Sequence, residues 1–346
     1  MKDTMYGLVK AVPAPGAEIQ ENLPIPSVGS RDILVRIQAS AICGTDQHIM
    51  DWTDYAQKRL TLPMVFGHEF SGDVVAVGEQ VTEVAIGDRV AGETHIPCNH
   101  CAMCKNDQRH ICENMKIIGV QAPGAFSEYI SFPVDCAFKL PAGFDYKVGA
   151  LLEPMGVAVH GVDCAKVAGK TVVINGCGPI GLMAVGAAKA WGAKAVIALD
   201  VVDAKLDVAR EMGADYTCNS AASDSISLVH SVTGAGADVA IDYSGVIPAI
   251  RSLFRMIRKG GTIVMVGLPN NPIQLDLTED VIYKEATIIG STGRLMYRTW
   301  EQCVDLISSG AFHIEPVIAG TYDLRDYERA FAAIKAGVPG KMLLIP

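Results

Sequence analysis

Four cysteines that lie close together in the chain place the strongest constraint on its fold. Cys98, Cys101, Cys104 and Cys112 follow the spacing C-x2-C-x2-C-x7-C. Thiolates are soft metal ligands, and a tetrahedral set of four thiolates is typical of structural zinc. The spacing therefore predicts a closed zinc site, and the lobe that carries it must fold so that the four sulfur atoms converge.

The composition predicts two domains and no nucleic-acid or membrane partner. The chain has 346 residues, and a typical domain has roughly 100–200 residues. Its formal charge of −9 provides no basic surface for nucleic acid or anionic lipid. The first residues, MKDTMYGLVK, lack the apolar core of a secretion signal, and charged residues, glycine and proline interrupt the apolar stretch 171–202. We therefore expect a cytoplasmic protein in which the scattered cysteines are buried free thiols.

Two hydrophobic patterns divide the chain near residues 150–165. The first part is rich in short β patterns, such as those at 33–42, 71–77 and 88–92. The second part alternates short apolar runs with helical stretches, which is typical of βαβ units and a parallel sheet. The sequence thus predicts an α/β protein with a β-rich domain and a doubly wound domain. The predicted elements of the second part are strands at 171–175, 195–199, 238–243 and 261–266 and helices at 180–191, 204–212 and 247–259.

A glycine-rich segment after the apolar run TVVIN indicates a dinucleotide site. Gly176, Gly178 and Gly181 form G-x-G-x-x-G, which allows a tight turn and brings phosphates to the N terminus of a helix. Asp200 ends the next apolar run. A carboxylate there would accept hydrogen bonds from the adenosine ribose and repel a 2′-phosphate, so it predicts NAD rather than NADP. A glycine-rich turn with a capping aspartate is the alternative, and nearby Lys205 leaves some use of NADP open.

A second group of residues that can bind a metal lies in the β-rich part of the chain and near its C-terminal boundary. Cys43 and His68 offer a thiolate and an imidazole, while Glu69 and Glu153 offer carboxylates. A zinc ion held by three such ligands keeps one position open for a substrate oxygen and lowers the pKa of an alcohol. Asp46 suits a place behind the histidine, where a carboxylate orients a ligand imidazole. A cysteine or histidine alone is more often a packing residue, so the predicted catalytic zinc depends on these residues occurring together.

These motifs together resemble those of the zinc-dependent medium-chain alcohol and polyol dehydrogenases over essentially the whole chain. The shared marks are CGTD at 43–46, GHE at 67–69, the cysteine run at 98–112, EP at 153–154 and the glycine-rich segment at 176–181. The resemblance implies a GroES-like catalytic domain at 1–155 and 295–346, with a structural zinc lobe at 95–115. It implies a Rossmann NAD-binding domain at 156–294. It also implies two zinc ions per subunit, a small-molecule alcohol substrate and a homotetramer.

Three segments resemble the threonine dehydrogenase branch of that family. They are DWTDYAQK at 51–58, GETHIPC at 92–98 and GRLMYRTW at 293–300. By this resemblance His95 reaches the substrate pocket, and the expected reaction is oxidation of L-threonine to 2-amino-3-oxobutanoate with NAD. Thr45 and His48 match the proton relay of the family, in which Thr45 contacts the substrate oxygen and His48 releases the proton to solvent.

The predicted site residues form three groups. The catalytic residues are Thr45, His48 and His95. The cofactor-binding residues are Gly176, Gly178, Pro179, Ile180, Gly181, Asp200, Lys205 and Val266. The metal ligands are Cys43, His68, Glu69 and Glu153 for the catalytic zinc and Cys98, Cys101, Cys104 and Cys112 for the structural zinc.

The sequence alone leaves two alternative functions open. Val157 stands where threonine dehydrogenases commonly carry asparagine, and VIAGT at 317–321 lacks an expected histidine. A polar-to-apolar change near a pocket shifts specificity, so a polyol, sugar-acid or vicinal-diol substrate is the first alternative. The second is a redox-sensing or structural nucleotide-binding protein without catalysis. Such a protein would have no need of Cys43, His68 and an open zinc position.

Overall fold

The computed structural model describes residues 3–346, which form two compact units. The first unit extends to Glu153 and resumes with Ile318–Pro346, and the second unit is Pro154–Val317. The chain thus returns to the first unit later than the predicted residue 295. The intervening segment packs within the second unit, where an added Cβ on Gly186 would lie only 2.5 Å from the ring of Phe312.

The first unit up to Glu153 consists mainly of antiparallel strands. These strands are β1 Thr4–Lys10, β2 Glu18–Pro24, β3 Asp32–Ala41, β4 Met64–Val65, β5 Glu69–Val77, β6 Arg89–Gly92, β7 His95–Ile96, β8 Lys116–Ile117, β9 Tyr129–Pro133 and β10 Ala137–Lys139. The helices are α1 Gly44–Met50, α2 Asp54–Gln57, α3 Ala102–Lys105 and α4 Tyr146–Ala165, and the last of these leads into the second unit.

The second unit is a parallel sheet with helices between its strands. The strands are β11 Thr171–Asn175, β12 Ala195–Asp200, β13 Tyr216–Asn219, β14 Ala237–Asp242, β15 Ile257–Met265 and β16 Thr287–Gly290. The helices are α5 Pro179–Ala190, α6 Asp203–Glu211, α7 Ser225–Thr233, α8 Ile247–Met256 and α9 Arg298–Ser308. The strand order is β13-β12-β11-β14-β15-β16, which is the order of a doubly wound dinucleotide-binding fold. The predicted α/β fold class is confirmed, but the predicted helix at 247–259 is wrong at its end, because β15 begins at Ile257.

The returning segment completes the first unit. Its elements are β17 Ile318–Asp323, α10 Tyr327–Lys335 and β18 Lys341–Ile345. The largest sheet of the unit has the order β10-β6-β5-β3-β18-β17, with β9 also paired to β3, and smaller sheets are formed by β2-β1-β4 and β7-β8. Short helical turns occur at Arg109–Ile111, Val134–Cys136, Leu277–Ile282, Glu315–Val317 and Leu324–Asp326.

Buried apolar side chains hold each unit together. Phe70 and Val90 belong to a core on the large sheet of the first unit, and Phe126 belongs to a second core beneath α10. In the second unit, Phe254 and Ile197 pack in a core between the parallel sheet and its helices. Strands covered on both faces read as continuous apolar runs, which explains the sequence pattern of β11, β12 and β14. Within residues 3–346, no helix is both long enough and apolar enough to cross a bilayer.

Candidate metal centres and nucleotide pocket

Three predicted ligands of the catalytic zinc converge in the first unit. Ligand atoms of Cys43, His68 and Glu69 all lie within 4.8 Å of one another. The antiparallel register of β3 on β5 brings them together, because Ala41 at the end of β3 pairs with Glu69 at the start of β5. Cys43 then forms the N-cap of α1, while His68 and Glu69 are buried. A thiolate, an imidazole and a carboxylate at this spacing form a donor set that suits zinc.

Asp46 lies beside two of these groups. Its Oδ2 accepts a hydrogen bond of 2.8 Å from the backbone N–H of Cys43, and its Oδ1 lies 3.6 Å from His68 Nδ1. Burial lowers the pKa of His68, but the charges of Asp46 and Cys43 outweigh burial and hold it well above its usual value. Because Nδ1 faces a carboxylate, Nε2 is the nitrogen left to bind a metal. The residues present therefore fit a zinc ion at this position.

Glu69 has a second partner within the same unit. Lys341 Nζ lies 2.5 and 2.6 Å from the two carboxylate oxygens of Glu69 and also donates a 3.0 Å hydrogen bond to the carbonyl of Ile42. Burial raises the pKa of Glu69, Lys341 opposes this shift, and the charge of Glu153 adds to it. Of the two predicted carboxylate ligands, Glu69 thus lies in the ligand group, while Glu153 acts on it electrostatically.

Both residues of the predicted relay lie on α1. Thr45 is half-buried in the first turn of the helix, and His48 is exposed one turn further on. His48 Nδ1 lies 3.2 Å from the hydroxyl of Thr53. An imidazole held through Nδ1 on the surface can exchange a proton with solvent through Nε2.

His95 is fixed by a fully buried carboxylate. Glu93 Oε1 lies 3.0 Å from His95 Nδ1 and also accepts a 2.8 Å hydrogen bond from the backbone N–H of His95. The ring therefore has a single preferred orientation, in which Nε2 points away from Glu93. The sequence did not reveal this contact, although the two residues are only two positions apart in GETHIPC.

The four cysteines of the lobe form a compact sulfur cluster. Their ligand atoms all lie within 4.8 Å of one another, and the Cys101 sulfur is 3.5 Å from that of Cys104 and 3.9 Å from that of Cys112. A zinc–sulfur distance of about 2.3 Å in a tetrahedron places sulfur atoms roughly 3.8 Å apart, so the cluster fits zinc. All four cysteines are free thiols in the structure. Backbone N–H groups, that of His100 foremost, lower the pKa of Cys98 to about 6, which favours the thiolate.

Four of the eight predicted dinucleotide residues line a cavity at the carboxyl ends of β11, β12 and β14. The cavity has a volume of about 320 Å³. Its lining includes Gly176, Gly178, Asp200 and Lys205 from the prediction and Asn175, Tyr243, Ser244 and Val246 in addition. Pro179, Ile180, Gly181 and Val266 do not line this cavity in the described part of the chain. Pro179 and Ile180 begin α5, and a Cβ on Gly181 would lie 1.8 Å from the carbonyl oxygen of Gly176.

Asp200 is engaged with the glycine-rich turn. Its Oδ2 accepts a 2.7 Å hydrogen bond from the backbone N–H of Cys177, and its Oδ1 accepts one of 2.8 Å from Val201. Lys205 Nζ lies 3.8 Å from Oδ1. The carboxylate is therefore held at the edge of the cavity beside one cation, as expected of a group that meets ribose hydroxyls.

Comparison with known proteins identifies the family. The zinc-binding dehydrogenase model matches residues 179–309, and the alcohol dehydrogenase GroES-like domain model matches residues 29–142. An L-threonine 3-dehydrogenase of Bacillus licheniformis is 42% identical over 100% of both chains. The chain belongs to the zinc-binding dehydrogenase family.

Two solved structures support the same assignment for this zinc-binding dehydrogenase. A Sinorhizobium meliloti protein solved with bound NADP is 31% identical, with a TM-score of 0.91 over 100% of both chains. An Escherichia coli alcohol dehydrogenase complexed with NADH is 26% identical, with a TM-score of 0.91 over 100% of both chains. The family and the enzyme class predicted from the sequence are thus confirmed.

Lys341 is a residue of the site that sequence reasoning missed. It is 272 positions from Glu69 along the chain, and β18 brings it there by pairing with β3. The one available signal was a lysine at the head of the apolar run KMLLI, where a charge needs a buried partner. Identifying that partner requires the order of the strands.

We expect Cys104→Ser to remove about one zinc ion per subunit and to lower the thermal unfolding midpoint by several degrees. A serine hydroxyl does not replace a thiolate, and three sulfurs cannot close a tetrahedral site whose metal stabilises the lobe. Inductively coupled plasma mass spectrometry measures the zinc content per subunit, and calorimetry measures the thermal unfolding midpoint. Cys164→Ser, outside both ligand groups, is the control and should keep its zinc. An unchanged zinc content in Cys104→Ser would contradict the assignment of this lobe.

Proposed function

We propose that this dehydrogenase oxidises L-threonine to 2-amino-3-oxobutanoate, with NAD as the hydride acceptor. The observation that carries the proposal is the 42% identity to an L-threonine 3-dehydrogenase over the full length of both chains. The convergence of Cys43, His68 and Glu69 supports it, since an intact ligand set is what alcohol oxidation in this family requires.

The proposal assigns two zinc ions to each subunit. Cys43, His68 and Glu69 are the candidate ligands of the catalytic ion, and Glu153 stays a predicted ligand from the sequence. The cysteine cluster of the lobe holds the structural ion. When bound, the catalytic zinc acts as a Lewis acid that lowers the pKa of the substrate alcohol.

The residues of the chain then direct the proton and the substrate. The C3 hydrogen leaves as hydride to NAD, and the hydroxyl proton must reach solvent. Thr45 is assigned the hydrogen bond to the substrate hydroxyl, and His48 the release of the proton, because it is exposed and its Nδ1 is occupied by Thr53. His95 is assigned a contact with a polar substituent of the substrate through Nε2, since Glu93 holds its Nδ1.

Asp200 supports NAD as the cofactor. A carboxylate at the edge of the cavity accepts hydrogen bonds from free ribose hydroxyls and repels a 2′-phosphate. The cytoplasmic location and the homotetramer stay predictions that come from the sequence and the family resemblance.

An initial-rate panel tests the proposed substrate. L-threonine, sorbitol, gulonate and 2,3-butanediol are each assayed with NAD and with NADP. We expect the highest kcat/KM for L-threonine with NAD. Val157, an apolar residue where threonine dehydrogenases commonly carry asparagine, favours the alternative of a polyol, sugar-acid or diol substrate. A higher kcat/KM for one of these substrates than for L-threonine would contradict the proposal and support that alternative.

Cys43→Ser is expected to reduce turnover roughly a thousandfold or more, because loss of the catalytic ion removes several kcal/mol of transition-state stabilisation. NADH binding, measured by fluorescence titration, should stay unchanged, since Cys43 and the nucleotide cavity belong to different units. Cys164→Ser serves again as the control. Wild-type turnover in Cys43→Ser would rule out the proposed catalytic centre.

Asp200→Ala is expected to lower the preference for NAD over NADP roughly tenfold or more. The change removes the acceptor for the ribose hydroxyls and also the charge that repels a 2′-phosphate. The ratio of kcat/KM for the two cofactors is the measurement. Asp203→Ala removes an equal charge at the start of α6 and should leave the ratio unchanged. Equal losses with both cofactors in Asp200→Ala would exclude Asp200 from the ribose site.

A further inference from the structure

Asp242 at the end of β14 is a fully buried carboxylate that neutral donors surround. Its Oδ1 accepts hydrogen bonds from Asn175 Nδ2 at 2.7 Å, Ser244 Oγ at 2.7 Å and the Ser244 backbone N–H at 3.2 Å. Its Oδ2 accepts one from the Gly245 backbone N–H at 3.0 Å. A buried charge is costly unless it is hydrogen-bonded, so these four donors stabilise the carboxylate in its buried position.

The donors come from two different walls of the nucleotide cavity. Asn175 is the last residue of β11 and directly precedes the glycine-rich turn, while Ser244 belongs to the segment after β14, and both line the cavity. The Asn175 side chain also contacts Ser244 Oγ at 3.3 Å. Asp242 itself is not among the described lining residues, so its effect on a bound nucleotide must be exerted through these neighbours.

The fit between the two walls is tight. An added Cβ on Gly176 would lie 2.9 Å from both the backbone nitrogen and the Cβ of Ser244. The first glycine of the nucleotide turn therefore rests against the segment that Asp242 holds. A small movement of Ser244 would change the space in which the turn presents its N–H groups to phosphate.

We propose that Asp242 is a positioning residue for the dinucleotide, and that it sets the distance between the glycine-rich turn and the Ser244 segment through Asn175 and Ser244. The inference rests on the proposed NAD site and goes beyond it, because Asp242 lies behind the described residues that line the cavity. The ligand class that it serves is a dinucleotide whose pyrophosphate lies on the turn.

The opposite end of the same strand provides a matched control. Asp238 Oδ2 accepts hydrogen bonds of 2.8 Å from the backbone N–H and the hydroxyl of Thr171, and its Oδ1 accepts one of 2.7 Å from Arg258 Nε. Asp238 therefore also links β14 to β11, but at the amino end of the sheet, away from the cavity. Both aspartates cross-link the same two strands, and only one of them does so beside the nucleotide turn.

The experiment compares Asp242→Asn with Asp238→Asn in the full-length enzyme. Each change keeps the size of the side chain and replaces one acceptor oxygen with an NH2 group. Because that NH2 group faces a donor and cannot accept its hydrogen bond, the bond is lost. NADH affinity is measured by fluorescence titration at a temperature where circular dichroism shows each variant to be folded, and thermal midpoints are recorded. We expect Asp242→Asn to weaken NADH binding roughly tenfold, the effect of losing one hydrogen bond to a charged group. Asp238→Asn should lower the midpoint but bind NADH within about twofold of the wild type.

Three results would overturn the proposal. Wild-type affinity in a folded Asp242→Asn variant would refute the inference and leave the proposed function intact, and so would equal weakening in both variants. Failure of the wild-type enzyme to bind NADH would refute the NAD site together with the inference. If Asp242→Asn does not fold, Asn175→Ala removes one of the four donors and leaves the carboxylate, and it must then weaken NADH binding.

Discussion

The antiparallel pairing of β3 with β5 is the interaction on which the candidate catalytic centre depends. It places the end of one strand beside the start of the other, so that Cys43 and His68 leave the sheet at the same edge. A slip of one residue would turn the side chains of β5 to the opposite face and separate the ligands. The register is secured by the large apolar core of the unit and by Lys341, which joins the carbonyl of Ile42 to Glu69.

Buried carboxylates perform a common task in both units. Asp46 caps the start of α1 beside His68, Glu93 fixes the ring of His95, and Asp242 joins two walls of the nucleotide cavity. A carboxylate that is shielded from solvent needs hydrogen-bond donors at short distances. Removing one donor leaves a buried charge that is incompletely hydrogen-bonded, which destabilises the folded protein. Such a group therefore imposes a defined geometry on a neighbour that is proposed to bind metal, substrate or cofactor. This need for a defined geometry is a physical reason for buried carboxylates to lie next to the candidate sites.

Local motifs made much of the site predictable. The cysteine spacing from Cys98 to Cys112 and the glycine-rich segment after TVVIN each lie within a short stretch, so their geometry follows from one turn or one lobe. Long-range contacts were not predictable in the same way. The pairing of Lys341 with Glu69 depends on strand order, and periodicity did not separate the end of α8 at Met256 from the strand that follows it.

The sequence by itself determined the types of group available to the chemistry, namely two sets of candidate zinc ligands, a glycine-rich turn and an acidic residue after the next strand. It also determined the fold class, because strands buried on one face have alternating apolar residues, whereas strands of a parallel sheet buried on both faces have continuous apolar runs. Only the tertiary structure decided which carboxylate lies beside Cys43 and His68, where the chain returns to the first unit, and what Asp242 holds. Those outcomes depend on strand register and on burial, which join residues far apart in the chain and leave no local pattern in it.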